Sequence, residues 1–287
     1  MKKVKPIPFR DKNGKRAFNS SGVLEAGPGR FVFIDNNDPT ALFDLFLDDE
    51  GGHERIRRRP IVGMAKGLLS DPEGLTWLDR ATGTLLVASS LCRGNDGLVR
   101  VRYRADGDLP AEAIPGFRDW LITRVPELAD AAMRDPDDGG LNIEGAVWDP
   151  TTRALLLGLR GPANPGRVTL IRIPVRADAK PWTTAALGPP ARMHLRVPDS
   201  KHRLGIRDIS NAASAGFLLL LGRSLSHGDE PFHLCTWNGR SDTLELLDIK
   251  FHKSAKPEGL TTFTSGDGRR ILVVDDCGGY AILDAIS

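Results

Sequence analysis

Asn142-Ile143-Glu144-Gly145-Ala146-Val147-Trp148 is followed by Thr152-Arg153-Ala154-Leu155-Leu156-Leu157-Gly158-Leu159-Arg160-Gly161-Pro162. These are two apolar runs parted by a short polar turn, the pattern of two antiparallel strands. The first opens on a carboxylate and the second closes on an arginine. The same arrangement returns as Asp71-Pro72-Glu73-Gly74-Leu75-Thr76-Trp77 before an apolar run over 85–90, and as Lys256-Pro257-Glu258-Gly259-Leu260-Thr261 before one over 271–276. Two weaker copies are Gly205-Ile206-Arg207-Asp208-Ile209-Ser210 before 217–223, and Ser20-Ser21-Gly22-Val23-Leu24 before 31–36.

Further strands follow each pair. The spacing predicts them over 40–47 and 55–62 in the first unit and 98–104 in the second. It predicts 168–175 and 193–197 in the third, 232–237 and 243–249 in the fourth, and 280–283 in the fifth. Residues 48–54 read as a polar loop and Lys12-Asn13-Gly14-Lys15 as a turn. The interval between opening residues is longest from Glu73 to Glu144, and there 117–122 and 126–133 carry helical spacing. A partly helical insertion is therefore expected over 105–140. The last unit lacks a fourth strand, and the segment 2–9, with Pro6 and Pro8 suited to an edge, is the natural candidate for it.

Repeats of about 40 to 50 residues made of four short strands are the mark of a β-propeller. An open last blade would expose a sheet edge, so the ring must close. The expected fold is all-β: residues 1–287 as one propeller of five blades closed by the N-terminal strand. The alternative is six blades, with 105–140 as a degraded one.

Composition excludes several function classes. The 287 residues are 26% charged and 40% hydrophobic with net charge +2, an ordinary globular balance that supplies no global field for nucleic acid or membrane. No apolar run nears the roughly 18 residues needed to span a bilayer, and no apolar region follows the N-terminal lysines as in a signal peptide. A cytoplasmic location is expected. Cys92, Cys235 and Cys277 are widely spaced and without zinc-site spacing, so they read as reduced thiols. No Walker loop, GxSxG elbow, HExxH or GxGxxG occurs. The run Arg57-Arg58-Arg59 reads as an outer strand with solvated charges, and Trp77 and Trp148, at the same repeat position, as core packing.

Propeller geometry converts the repeats into a candidate site. The start of each first strand and the end of each second strand share one mouth of the central channel. That mouth gathers Ser21, Asp35 and Asn36; Glu73 and Arg93; Glu144 and Arg160; Arg207, Asp208, Arg223 and His227; Glu258, Asp275 and Asp276. Arg160, Arg207 and Arg223, with Arg93 and His227, suit a small anionic ligand or peptide, because guanidinium donates two parallel hydrogen bonds to a carboxylate or phosphate. Glu73, Glu258, Asp275, Asp276 and Asp35 form a carboxylate sector suited to Ca²⁺ or Mg²⁺. A structural alternative pairs Glu144 with Arg160 and Asp208 with Arg223, the repeated carboxylates cementing blade to blade.

The strings Asn142-Ile143-Glu144-Gly145 with Leu156-Leu157-Gly158-Leu159-Arg160-Gly161-Pro162, Gly205-Ile206-Arg207-Asp208 and Lys256-Pro257-Glu258-Gly259-Leu260 resemble the bacterial domain-of-unknown-function family 3616 over nearly the whole chain. That resemblance implies no activity. More distantly, the repeated Glu-Gly-Leu opening is similar to esterase-like phytase propellers and gluconolactonase-type calcium propellers. In the latter a channel-mouth glutamate is a metal ligand, a part that Glu73, Glu144 or Glu258 could take by resemblance. The further asparagine and aspartate ligands of that family match only Asn36 and Asp275 by position. Three functions follow as expectations: a binder of small anions or peptides, a Ca- or Mg-dependent hydrolase of a lactone or phosphoester, and a scaffold for a protein partner.

Overall fold

A computed structural model of the chain describes residues 3–10, 17–48, 54–212, 216–266 and 268–284. The turn expected at 12–15 and most of the 48–54 loop lie outside them. The strands are β1 (Ile7–Pro8), β2 (Ser20–Gly27), β3 (Arg30–Asp35), β4 (Ala41–Leu47), β5 (Glu54–Val62), β6 (Pro72–Asp79), β7 (Thr84–Ser89), β8 (Leu98–Arg102) and β9 (Leu109–Ala113). Helices α1 (Phe117–Arg124) and α2 (Ala129–Ala132) follow. Then come β10 (Asn142–Asp149), β11 (Ala154–Asn164), β12 (Arg167–Pro174), β13 (Ala191–Arg196), β14 (Leu204–Asn211), β15 (Phe217–Arg223), β16 (His233–Trp237), β17 (Glu245–Leu246), β18 (Pro257–Ser265), β19 (Gly268–Asp275) and β20 (Gly279–Asp284).

These strands form antiparallel meanders. β10 to β13 make one sheet in chain order, and β14 to β17 another. In a third, β18, β19 and β20 take β1 as their outer strand, with Ile7 opposite Tyr280 and Pro8 opposite Gly279. β2 to β5 and β6 to β9 are meanders joined edge to edge by a short parallel contact of β5 with β9. Among the described residues the first strands touch in a closed cycle, β2 to β6 to β10 to β14 to β18 and back to β2. An apolar cluster fills each gap between neighbouring units. The closing gap is aromatic: Phe9 stacks on Phe33 and Tyr280 at 5.5 Å each, although Phe9 arrives from the far end of the chain.

The segment 105–140 is only in part as expected. Leu109–Ala113 is a strand that completes the second meander by pairing with β8. The helical part begins at Phe117, where both Asp96 oxygens cap α1 by accepting from the Gly116 and Arg118 amides. Phe117 and Leu121 then enter the cluster between the second and third units.

The arginine run of β5 also departs from its expected solvated state. Arg59 is 2% exposed, and Asp44, opposite Arg57 on β4, is fully buried. Arg30, Arg57 and Arg59 reach the Asp44 Oδ2 at 2.9, 2.8 and 2.8 Å. Burial works against the Asp44 charge, but the Tyr103 hydroxyl and the Arg57 and Arg59 guanidiniums outweigh it and hold the carboxyl below its ordinary range. The surplus guanidinium donors bind the carbonyls of Arg104, Ala105 and Gly107, tying the first unit to the loop before β9.

Candidate functional site

Each first strand carries a bulge at the same mouth of the channel. The register of β2 on β3 slips between Ser20 and Val23, and that of β6 on β7 between Pro72 and Gly74. It slips between Ile143 and Gly145, Ile206 and Asp208, and Pro257 and Gly259 in the other three. A bulge inserts an unpaired residue and re-aims its side chain. The residues so placed are Ser21, Glu73, Glu144, Arg207 and Glu258. Arg207, rather than the expected Asp208, therefore occupies the position equivalent to the glutamates.

The residue after each bulge faces the neighbouring strand, which explains the recurrent Glu-Gly pair. A Cβ on Gly74 would lie 2.4 Å from the Ala146 Cβ, and one on Gly145 3.0 Å from Ile209. Asp208 stands where these glycines stand and replaces close approach with hydrogen bonds. Its Oδ2 accepts from the Leu260 amide of β18 at 2.7 Å and its Oδ1 from the Ile209 amide at 2.7 Å. Burial pushes its carboxyl well up despite those two donors. It does not pair with Arg223, whose Nη1 donates to the Gly228 carbonyl at 2.9 Å and whose guanidinium lies over Phe232.

Four of the five bulge positions bear charge, and three of those charges are locked together. Arg207 reaches Glu258 through Nε at 2.7 Å and through Nη2. Its Nη1 lies 2.9 Å from the Glu144 Oε2, close enough for an ion pair but off the hydrogen-bond axis. Glu144 Oε1 also accepts from Arg160 at 2.8 Å and from the Asn142 amide group at 3.1 Å. Arg160 extends outward to the Ser224 carbonyl and the Ser226 hydroxyl. Burial opposes the Arg207 charge, but Glu144 and Glu258 outweigh it and raise its affinity for the proton. Burial pushes the Glu258 carboxyl up and Glu144 pushes with it, while Arg207, bound to both of its oxygens, pulls the other way.

Glu73 differs. It is half-buried, it has no cationic partner among the described residues, and its Oε1 accepts from the Asn36 Nδ2 at 2.7 Å. Asn36 is held in turn by the Ser21 hydroxyl at 3.0 Å. Burial, then the charges of Glu144, Asp71 and Glu258, push Glu73 well above the ordinary carboxylate range. Three bulge glutamates thus face two guanidiniums, and Glu73 is the one left without an ion pair among the described residues. The backbone around it is strained: Asp71, Leu91 and Arg93 all have left-handed φ, at 49°, 57° and 48°. Asp71 Oδ2 gathers the Ser90 hydroxyl at 2.5 Å, Asn95 Nδ2 at 3.1 Å and Cys92 Sγ at 3.5 Å.

The other expected residues go elsewhere. Asp35 caps backbone amides of Asn19 and Asn37, and Asp275 those of Lys256 and Cys277. Asp276 lies 3.7 Å from the Lys256 ammonium. Among the described residues no three His, Cys, Asp or Glu side chains are grouped to hold a metal ion. Arg93 pairs with Asp135 at 2.6 Å on the surface. His227 is exposed in a loop whose Ser226 amide binds Asp137. Asn142 and Asp71 are members of the site that the repeat comparison passed over. Asn142 lies two residues before Glu144, and its amide group donates to the Glu144 Oε1 although the register slips between them.

No protein-family model matches the chain, and no curated protein sequence matches it. The resemblance to domain-of-unknown-function family 3616 therefore has no family model behind it. Solved structures do match. An exo-β-1,3-galactanase from Phanerochaete chrysosporium, solved with β-1,3-galactotriose, superimposes with TM-score 0.54 at 10% identity. The match covers 97% of this chain and 63% of that one. A streptogramin B lyase matches with TM-score 0.40 at 11% identity over 98% and 97% of the two chains. The WD40 β-propeller domain of Doa1 gives 0.36 at 8% identity over 98% and 68%. With 52% of residues in strands and 9% in helices, the chain is a mostly β protein with a β-propeller fold.

Proposed function

We propose that the chain is a five-bladed propeller whose channel mouth binds a small, neutral, hydroxyl-rich molecule, with Glu73 offering it a proton-bearing carboxyl. The observation that carries this reading is the charge balance of the mouth. Glu144, Arg160, Arg207 and Glu258 neutralise one another and are explained as cement between blades. Glu73 is held by Asn36 but by no guanidinium among the described residues, and packing alone does not call for an acid without a cation at that position. With Glu73 protonated and Glu258 ionised on Arg207, the three bulge glutamates and the two arginines that hold them carry no net charge, and Asp71 beside them adds only negative charge, which favours an uncharged ligand over the anion that the arginines suggested in the sequence.

The test is a calorimetric and thermal-shift screen of neutral glycosides. β-1,3-linked galacto-oligosaccharides are the first probe because the superimposed galactanase holds one. A binder found in this way is expected to weaken as pH rises through the titration of Glu73. Glu73→Gln, which imitates the neutral acid, is expected to keep the affinity and lose the pH dependence, and Glu73→Ala to lose binding. No binder among the neutral glycosides, or an affinity in the wild-type protein that does not fall with rising pH, would refute the proposal.

A further inference from the structure

The far end of the channel holds a second feature that the mouth chemistry does not use. The first strands run on past their bulges, and four residues later each reaches the opposite opening, where Glu25, Trp77, Trp148, Asn211 and Thr262 stand at equivalent places. A cavity of about 580 Å³ opens there, within the range of sites for small organic ligands. Its floor is apolar, from Leu75, Val147 and Ile209 of three adjacent first strands. Trp77, half-buried, stands on its wall, and Trp148, 7% exposed and otherwise packed in the core between the second and third units, borders it.

The two tryptophans are held in place by main-chain bonds between units. Trp77 donates its Nε1 proton to the Glu25 carbonyl at 3.0 Å, which fixes the ring beside the first unit. The backbone of Trp148 accepts from Asn211 Nδ2 at 3.2 Å and donates to the Thr76 hydroxyl at 2.9 Å. The wall is thus formed before any ligand arrives, which lowers the ordering cost of binding.

The rim is charged. Arg80 is already paired with Glu25 at 2.8 Å, and Asp79 is engaged by the Thr82 hydroxyl of its own turn. Arg269, on β19, lines the same cavity and meets no carboxylate among the described residues. An apolar floor, an aromatic wall at Trp77 and one unmatched guanidinium at the rim are complementary to a flat apolar body bearing one negative group.

We infer that this far opening is a separate binding site for a small aromatic carboxylate, its ring against Trp77 and beside the border residue Trp148, and its carboxylate on Arg269. The site shares no residue with the Glu73 mouth, so either can fail without the other.

The experiment uses the full chain and two probes of equal shape, phenylacetate and the uncharged phenylacetamide, followed by the indole N–H resonances. Trp77 and Trp148 are assigned with Trp77→Phe and Trp148→Phe. Phenylacetate is expected to move those two signals and to leave those of Trp120, Trp182 and Trp237 in place. Arg269→Gln, a surface change that leaves the fold intact, is expected to weaken phenylacetate about tenfold, the loss of one charge-assisted pair. It is expected to leave phenylacetamide unchanged, and Glu73→Ala to alter neither. The inference is overturned by indole signals that stay in place, by shifts spread over all five tryptophans, or by an Arg269→Gln variant that binds phenylacetate as the wild type does.

Discussion

Replacing Arg207 with methionine tests how the ring is held together. Arg207 is 7% exposed and is the cation common to Glu144 and Glu258, so it joins the third, fourth and fifth units through one side chain. Methionine keeps much of the length and removes the charge. Glu144 retains Arg160 at 2.8 Å, but Glu258 is left buried without its guanidinium. Removing one partner of a buried pair typically costs about 3–5 kcal/mol, most of it the penalty of the uncompensated charge. The penalty depends on pH, because a stranded carboxyl can take up a proton. Each pH unit over which it does so recovers about 1.4 kcal/mol. Urea denaturation of the wild type and Arg207→Met is therefore expected to show a deficit of about 3–5 kcal/mol at pH 8 that shrinks at pH 5. A second variant, Arg207→Met with Glu258→Gln, is expected to recover much of the loss at pH 8. A deficit below about 1 kcal/mol at pH 8, or one that does not change with pH, would show that the network carries no such charge burden.

Three further outcomes follow from the geometry. Gly74→Ala places a Cβ against that of Ala146 and is expected to destabilise by about 1–3 kcal/mol in a denaturant melt; adding Ala146→Gly is expected to restore part of it. Phe9→Ala removes the aromatic seal between the N-terminal segment and the last unit, and is expected to cost about 3–5 kcal/mol and raise aggregation by freeing the edge of β20. Glu73 is raised in the folded protein, so its contribution to stability is fully present below the unfolded value of about 4.3 and is lost as pH rises toward the folded one. The wild type should accordingly lose up to about 1.4 kcal/mol per pH unit in that window on account of this group, and Glu73→Gln should remove that slope in melts taken across it.

Much of the architecture was legible in the sequence because the physics that forms it is local. Alternating apolar runs and a carboxylate at the start of four of the five first strands located the repeats, and the missing strand of the last unit pointed to the N-terminus. The strand Leu109–Ala113 was hidden by its composition, Leu-Pro-Ala-Glu-Ala, which lacks the β-branched and aromatic residues that mark a strand. The displacement of Asp208 by Arg207 was hidden by the bulge, since a one-residue slip in register leaves no trace in hydrophobic spacing. The burial of Arg59 is hidden for a related reason: its run is polar, and the sign of its burial lies on another strand, in the single aspartate of Ala41-Leu42-Phe43-Asp44-Leu45-Phe46. Arg93, Arg223 and His227 sit at strand ends and in loops, where direction is set by nearby carbonyls and carboxylates that chain order does not bring together.

The central claim is that Glu73 carries a proton at the channel mouth while the other two glutamates of the ring are matched by arginines. The most direct measurement is a carbon-13 NMR titration of the glutamate carboxyls in the full chain, with the Glu73 resonance assigned through Glu73→Gln. The account predicts that Glu73 titrates well above the ordinary glutamate value of about 4.3. A Glu73 resonance that titrates at that ordinary value would contradict it.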